Sequence, residues 1–177
     1  ALFGVDITVG AGEAVEVVGP NGVGKTTLAR VASGLVRATS GQVLIEGNDL
    51  TEARTYQFAQ AGVAHAPEGR SVFATLTVEE NLELSIRRNR GGSGVRQGLD
   101  EAFDIFPALA ERRTQVAGTL SGGQQRMLAM VRVLVDAPKL LVADELSLGL
   151  APLIVEQVYE MLHRVRESGT ALLVIEQ

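Results

Sequence analysis

Residues 19–28, GPNGVGKTTL, put three glycines, a proline and one lysine between the apolar run 15–18 and a segment of helical character. Gly19, Gly24, Lys25 and Thr26 stand at the fixed positions of G-x-x-x-x-G-K-[ST], a pattern that requires a strand before it and a helix after it. A phosphate group needs many donors at short range and no side chains in the way. Glycines let the loop turn back so that successive backbone N–H groups point inward, and a helix starting near Lys25 adds the positive end of its dipole. Lys25 is long enough to reach the β- and γ-phosphates of a nucleotide, and the Thr26 hydroxyl suits Mg²⁺. Pro20, Asn21, Gly22 and Val23 complete the loop, and Thr27 adds a contact at the helix start. Strand, glycine bend and helix in this order already make one unit of an α/β domain.

Short apolar runs at 14–18, 42–45, 62–66, 140–143 and 171–175 alternate with helical patterns along the chain. Several are apolar throughout, as strands buried on both faces are, which predicts a largely parallel sheet covered by helices. The alternating stretch 2–9 reads as a further strand, and 25–36 as a helix closed near Gly34. Pro152 opens another helix, whose apolar residues from Ile154 to Val165 recur at helical spacing and which Ser168-Gly169 stops. From 77 to 135 the pattern is nearly all helical, and the Gly91-Gly92-Ser93-Gly94 cluster is its most flexible connection. The expected fold is α/β: a mostly parallel core, 1–71 and 137–177, with an inserted helical subdomain, 72–136, in one domain spanning 1–177. With its glycine loop the core resembles the P-loop NTPases of RecA-like type.

With 46% hydrophobic residues in 177, the chain has the apolar content of a cored domain. Its net charge is −5, with both signs interspersed, so no basic stripe points to nucleic acid. The absence of cysteine removes disulfides, Cys-ligated zinc and thiol catalysis. With two histidines besides, a transition-metal site is not expected; His65 and His163 read as structural or solvated. No run of 18 or more apolar residues occurs, since 140–155 is broken by Asp144 and Glu145, so any membrane role comes through partners. Ala1 opens the chain inside a strand-like stretch and Gln177 follows directly on another, so the expectation is a fragment truncated at both ends.

A nucleotide site needs a carboxylate for its metal, and LLVADE, 140–145, supplies two at the carboxyl end of an apolar strand. Asp144 is placed to hold Mg²⁺, and Glu145 to take a proton from an attacking water. LSGGQQR, 120–126, opens a helix through a capping box of Ser121 and Gln124. Capping does not ask for Gly122 and Gly123, which cost helix stability and bare backbone N–H groups to an anion. A second phosphate-grade helix start in one chain suits a neighbour's nucleotide.

The phosphate loop, LSGGQ and LLVADE occur in the order that resembles the ATP-binding-cassette (ABC) ATPases, over essentially the whole chain. APEGRSVFATLTVEENL, 66–82, and ELSLGLAP, 145–152, are similar to the branched-chain amino acid importer ATPases of LivF type. The resemblance implies ATP and Mg²⁺ as ligands, and two cassettes paired head to tail. Each ATP would lie between one subunit's P-loop and the other's Ser121, Gly122, Gly123 and Gln124. It implies Thr26, Asp144 and Glu68 around the metal, with Glu68 where most cassettes carry the Q-loop glutamine. From the residues alone Glu68 also reads as a turn residue after Pro67. Lys25 and Glu145 are the catalytic expectations, with Gln177 at the position of the switch histidine and 147–150 as the D-loop. Residues 72–76 read as a surface for permease helices rather than as core.

Leu146 departs from the family pattern by replacing the proline that presets φ after the two acids, which predicts a looser turn. The adenine-stacking aromatic is expected before Ala1. The implied protein is the ATPase subunit of an importer, peripheral at the cytoplasmic face of the membrane. Its implied partners are permease subunits and, indirectly, a periplasmic or extracellular substrate-binding protein, with no nucleic acid. Importers of urea or of other amino acids and amides share the pattern. A soluble ABC ATPase acting on nucleic acid is the reading that the acidic charge and short helical insertion oppose.

Overall fold

The computed structural model describes residues 2–66, 72–135, 137–147 and 150–176. The chain runs β1 (Ala14–Val18), α1 (Lys25–Ala32), β2 (Leu44–Ile45), β3 (Asn48–Asp49), α2 (Thr55–Gln60), β4 (Val63–Ala66) and α3 (Val78–Arg90). It continues through α4 (Val95–Ile105), α5 (Pro107–Ala110), α6 (Gly122–Leu134), β5 (Leu140–Asp144), α7 (Pro152–Glu167) and β6 (Ala171–Glu176). It divides into two compact units. One comprises Ala1–Pro67, Pro138–Leu146 and Arg164–Gln177, and the other Glu68–Ala137 and Ser147–His163. The second therefore takes in 147–163 as well as the helical stretch.

In the first unit four strands form a parallel sheet in the order β1-β6-β5-β4. The register pairs Val15 with Leu173, Leu173 with Val142, and Val142 with His65. Ala29 of α1 and Phe58 of α2 close with Val63, Val142, Leu173 and Ile175 into a buried cluster on one face. Each large side chain in it contributes about 1.5–3 kcal/mol relative to exposure. β5 and β6 are the continuous apolar runs of doubly covered strands, whereas β1 alternates exposed and half-buried residues. β1 lies at an edge of the sheet, so its position accounts for the difference.

Three local expectations change. Residues 2–9 do not form a strand, and Phe3 is 92% exposed. Alternation marks out a face, but a strand also needs a backbone partner, and no described residue pairs with this stretch. The run 42–45 joins the sheet nowhere; its last two residues pair antiparallel with β3 in a separate hairpin. The helix expected over 25–36 ends at Ala32, because Gly34 turns the chain at φ 69° and Leu35 N–H bonds back to Arg30 O at 2.8 Å. Phe58 fills the space where a Cβ at Gly34 would stand.

The described elements of the second unit are helical. Thr77 caps α3 through a box with Glu80, and Ser121 caps α6 through a box with Gln124. Val78, Leu82 and Ile86 lie fully buried at four-residue spacing on α3, the stripe that an amphipathic helix turns inward. Gly98 of α4 lets that helix close on Ile86, since a Cβ there would sit 2.8 Å from Ile86 Cγ2. Arg113 grips Glu79 with two parallel hydrogen bonds of 2.8 and 2.7 Å and lies over the Phe103 ring. The Arg113 hydrogen bonds hold the Glu79 carboxyl below its ordinary pKa, against a smaller opposing effect of burial.

Candidate functional site

Parallel pairing places the carboxyl ends of all four strands along one edge. Val18 stands beside Glu176, Asp144 beside Ile175, and Ala66 beside Ala143. The glycine loop follows β1 on that edge, and the acids Asp144 and Glu145 follow on β5, with β6 between them. Crevices at the carboxyl ends of strands are where open α/β sheets bind ligands. Glu68 and Gln177 follow β4 and β6 in sequence but lie outside the described residues, as do Leu148 and Gly149 of the D-loop stretch.

Between β1 and α1 the backbone turns through Gly22 at φ 85° and Gly24 at φ 106°. Gly24 immediately precedes α1, so the loop delivers the first N–H groups of that helix. A Cβ at Gly22 would meet nothing within 4 Å, which leaves space over the loop. Lys25 is 6% exposed, and its ammonium donates to Gly19 O at 2.6 Å and Pro20 O at 3.1 Å. These bonds brace the loop from inside and satisfy a buried charge that would otherwise be costly.

Asp144 and Glu145 are 3% and 9% exposed at the end of β5. Glu145 adopts a left-handed backbone, φ 48°, while its N–H donates to Ile175 O at 2.9 Å. Such a conformation costs a non-glycine residue about 1–2 kcal/mol, and the β6 hydrogen bond helps hold it. Leu146 is 3% exposed, so burial anchors the turn where a proline ring was expected.

In the second unit, Ser121 Oγ accepts from Gln124 N–H at 3.3 Å and Gln124 Oε1 accepts from Ser121 N–H at 3.0 Å. The N–H groups of Gly122 and Gly123 belong to the first turn of α6, where the helix provides no acceptors. Gly123 has a packing role too: a Cβ there would lie 3.4 Å from Ile154 Cγ1 and Cγ2.

The family model of the ABC transporter matches residues 2–147. The chain belongs to the ABC transporter ATPase family. Three curated relatives bear on its place there. It is 41% identical to the high-affinity branched-chain amino acid transport ATP-binding protein BraG of Pseudomonas aeruginosa, over 100% of this chain and 76% of that protein. It is 37% identical to a probable branched-chain amino acid transport ATP-binding protein, LivF, of Archaeoglobus fulgidus, over 99% and 75%. The lipopolysaccharide export system ATP-binding protein LptB of Haemophilus influenzae is 34% identical over 96% and 71%.

Among solved structures, the ADP conformation of the ATP-binding cassette MJ1267 superposes with TM-score 0.85 at 28% identity, covering 100% of this chain and 75% of that one. The dimeric post-hydrolysis state of the cassette MJ0796, bound to ADP and Pi, gives 0.86 at 25% identity, over 98% and 78%. The P-loop NTPase fold expected from the sequence is thus the fold observed, and the chain is an ABC-type ATP hydrolase.

His65 lies on a strand, as the apolar run 62–66 predicts, but the isolation of its ring nitrogen was not readable in the sequence. It lies on β4 in register with Val142, on the sheet face that carries Asp144. Its Nδ1 is buried with no hydrogen-bond partner among the described residues. Burial first, and the Arg30 charge second, push its pKa below the ordinary histidine value. A histidine inside an otherwise apolar strand was the only available signal.

Proposed function

We propose that this chain is the ATP-hydrolysing subunit of an ABC importer that energises uptake of branched-chain amino acids through a membrane permease. The observation that carries this reading is the pair of branched-chain amino acid transport ATP-binding proteins at 41% and 37% identity over nearly the whole chain. The loop and both acids at one sheet edge fit the chemistry. The export protein LptB, at 34%, marks the same engine in another transport system, so the cargo is the finer part of the proposal.

The residues divide the work as follows. Backbone N–H groups of Gly19 and 21–24 and the start of α1, with Thr27, wrap the α- and β-phosphates of ATP, while Pro20 shapes the loop without donating. Lys25 turns from its carbonyl acceptors toward the β- and γ-phosphates. Thr26 and Asp144 offer hard oxygen ligands, with Glu68 as a third, in the manner of a Mg²⁺ site that draws its remaining ligands from phosphate and water. When bound, that ion would neutralise charge on the phosphates. Glu145 accepts a proton from the attacking water, and Gln177 supports the γ-phosphate from the end of β6. Ser121, Gly122, Gly123 and Gln124 close over the nucleotide of a second copy, whose P-loop reciprocates.

Among the described residues no helix is long and apolar enough to cross a membrane. The proposed location is therefore peripheral, on the cytoplasmic face, through permease subunits. Phe73, half exposed and stacked on Arg132 at 4.7 Å, lies in the apolar stretch 72–76 assigned to that contact. Labelled leucine uptake by cells whose only copy is the full-length Lys25→Ala variant tests the cargo. Loss of leucine, isoleucine and valine uptake with urea uptake intact is expected. Undiminished leucine uptake would remove the assignment.

A further inference from the structure

Asn81 of α3 is fully buried, and among the described residues its side-chain hydrogen bonds go to the backbone of 73–77. Its Oδ1 accepts from Phe73 N–H at 2.8 Å. Its Nδ2 donates to Phe73 O at 3.0 Å, Thr77 O at 2.9 Å and Leu76 O at 3.4 Å. Gln125 of α6, 5% exposed, does the equivalent for another segment: its Nε2 donates to Ala117 O at 2.9 Å and Gly118 O at 3.3 Å. The two gripped segments are bonded to each other. Ala117 N–H donates to Leu76 O at 2.8 Å, and Gly118 N–H to Ala74 O at 2.9 Å. That approach is so close that a Cβ at Gly118 would stand 2.8 Å from Ala74 O.

The bonds therefore run without a break from Asn81 through Leu76 and Ala117 to Gln125. One end of this chain of contacts holds the stretch that follows Glu68 in the sequence. The other holds the turn that enters LSGGQ, and Gln125 itself stands one residue beyond Gln124. We infer that Asn81 and Gln125 are positioning residues for the LSGGQ helix start, fixing Ser121 and Gly123 to the backbone of 73–77. A displacement of 73–77 is then carried to the groups that meet the second copy's nucleotide, because no slack segment lies between them. Buried amide side chains with all their bonds on backbone hold one geometry, since each lost partner leaves a desolvated carbonyl or N–H behind. The inference rests on the proposed role of LSGGQ across a cassette dimer.

The test uses the full-length protein carrying Glu145→Gln, which on the proposed base role of Glu145 binds ATP without turning it over, with Asn81→Ala, Gln125→Met and both together. ADP affinity, measured by calorimetry, reports the P-loop; ATP-dependent dimerisation, measured by light scattering after gel filtration, reports LSGGQ. ADP affinity within about twofold of the parent and dimerisation weakened about tenfold in each single variant are expected. The double variant should be little worse than the weaker single one, because both break the same chain of contacts. A role confined to stability would lower the melting temperature and leave dimerisation of the folded protein at the parent's value, which overturns the inference. Losses that multiply in the double variant overturn it too. Should Asn81→Ala not fold, Gln125→Met, which keeps the length of the side chain without its donor, decides alone. A parent that stays monomeric with ATP condemns the dimer reading instead.

Discussion

In the proposed mechanism Lys25 and Glu145 are side chains held ready for charge they have yet to meet. Lys25 is buried and braced by two carbonyls, which on the proposed reading are the partners its ammonium exchanges for phosphate. Lys25→Ala in the full-length protein is expected to lower kcat for ATP hydrolysis by about a hundredfold or more, read in a phosphate-release assay. Unchanged turnover would remove the loop from the mechanism. His65 supplies a prediction of a different kind. Burial holds its folded-state pKa below the ordinary 6.5, so as pH falls the unfolded chain takes up the proton first. Stability is full above 6.5 and drains away below it, down to the folded-state pKa. His65→Leu also removes a buried nitrogen that lacks a partner among the described residues. Melting temperatures taken from pH 7.5 down to 5.5 (a proposed assay range about the pKa of His, ~6.5) should therefore fall less steeply for His65→Leu than for the parent. Equal slopes would mean that His65 titrates in the fold as it does in water.

Helices and strands with strong local signals were legible, and those defined by a distant partner were not. Residues 140–143 and 171–175 read as doubly buried strands because their apolar runs need no context, and Pro152 with Ser168-Gly169 marked both ends of α7. The capping boxes at Thr77–Glu80 and Ser121–Gln124 are local as well. By contrast α2 is six residues long and the β2 and β3 strands two each, too short to leave a period. Residues 2–9 carry the alternation of a strand without a described partner. Of the candidate site, the glycine loop and the two acids could be placed from spacing alone. The left-handed turn at Glu145 and the bonds that join Leu76 and Ala74 to Ala117 and Gly118 depend on chain that is remote in sequence. Gly34 illustrates the same dependence, since its need for glycine comes from φ 69° and from Phe58 on α2. Gly34→Ala should cost more than about 1 kcal/mol for the backbone, with about 1–3 kcal/mol more for overpacking. A urea midpoint in the full-length protein that does not fall would show that α1 and α2 tolerate a Cβ there.

The proposed chemistry draws on both units. One carries the P-loop with Asp144 and Glu145, each with its own place on a parallel sheet, and the other carries LSGGQ on a capped helix. On the proposed reading both bind phosphate, and one triphosphate per chain would leave the second without an occupant unless a neighbouring copy provides it. Pairing would turn ATP into the contact between two chains, and hydrolysis into its release, which is the motion a permease can use. The central claim is therefore about assembly rather than binding alone. Light scattering on the full-length Glu145→Gln protein, with Mg²⁺ and either ATP or ADP, tests it most directly. The account predicts a dimer with ATP and a monomer with ADP; a monomer that has ATP bound would contradict it.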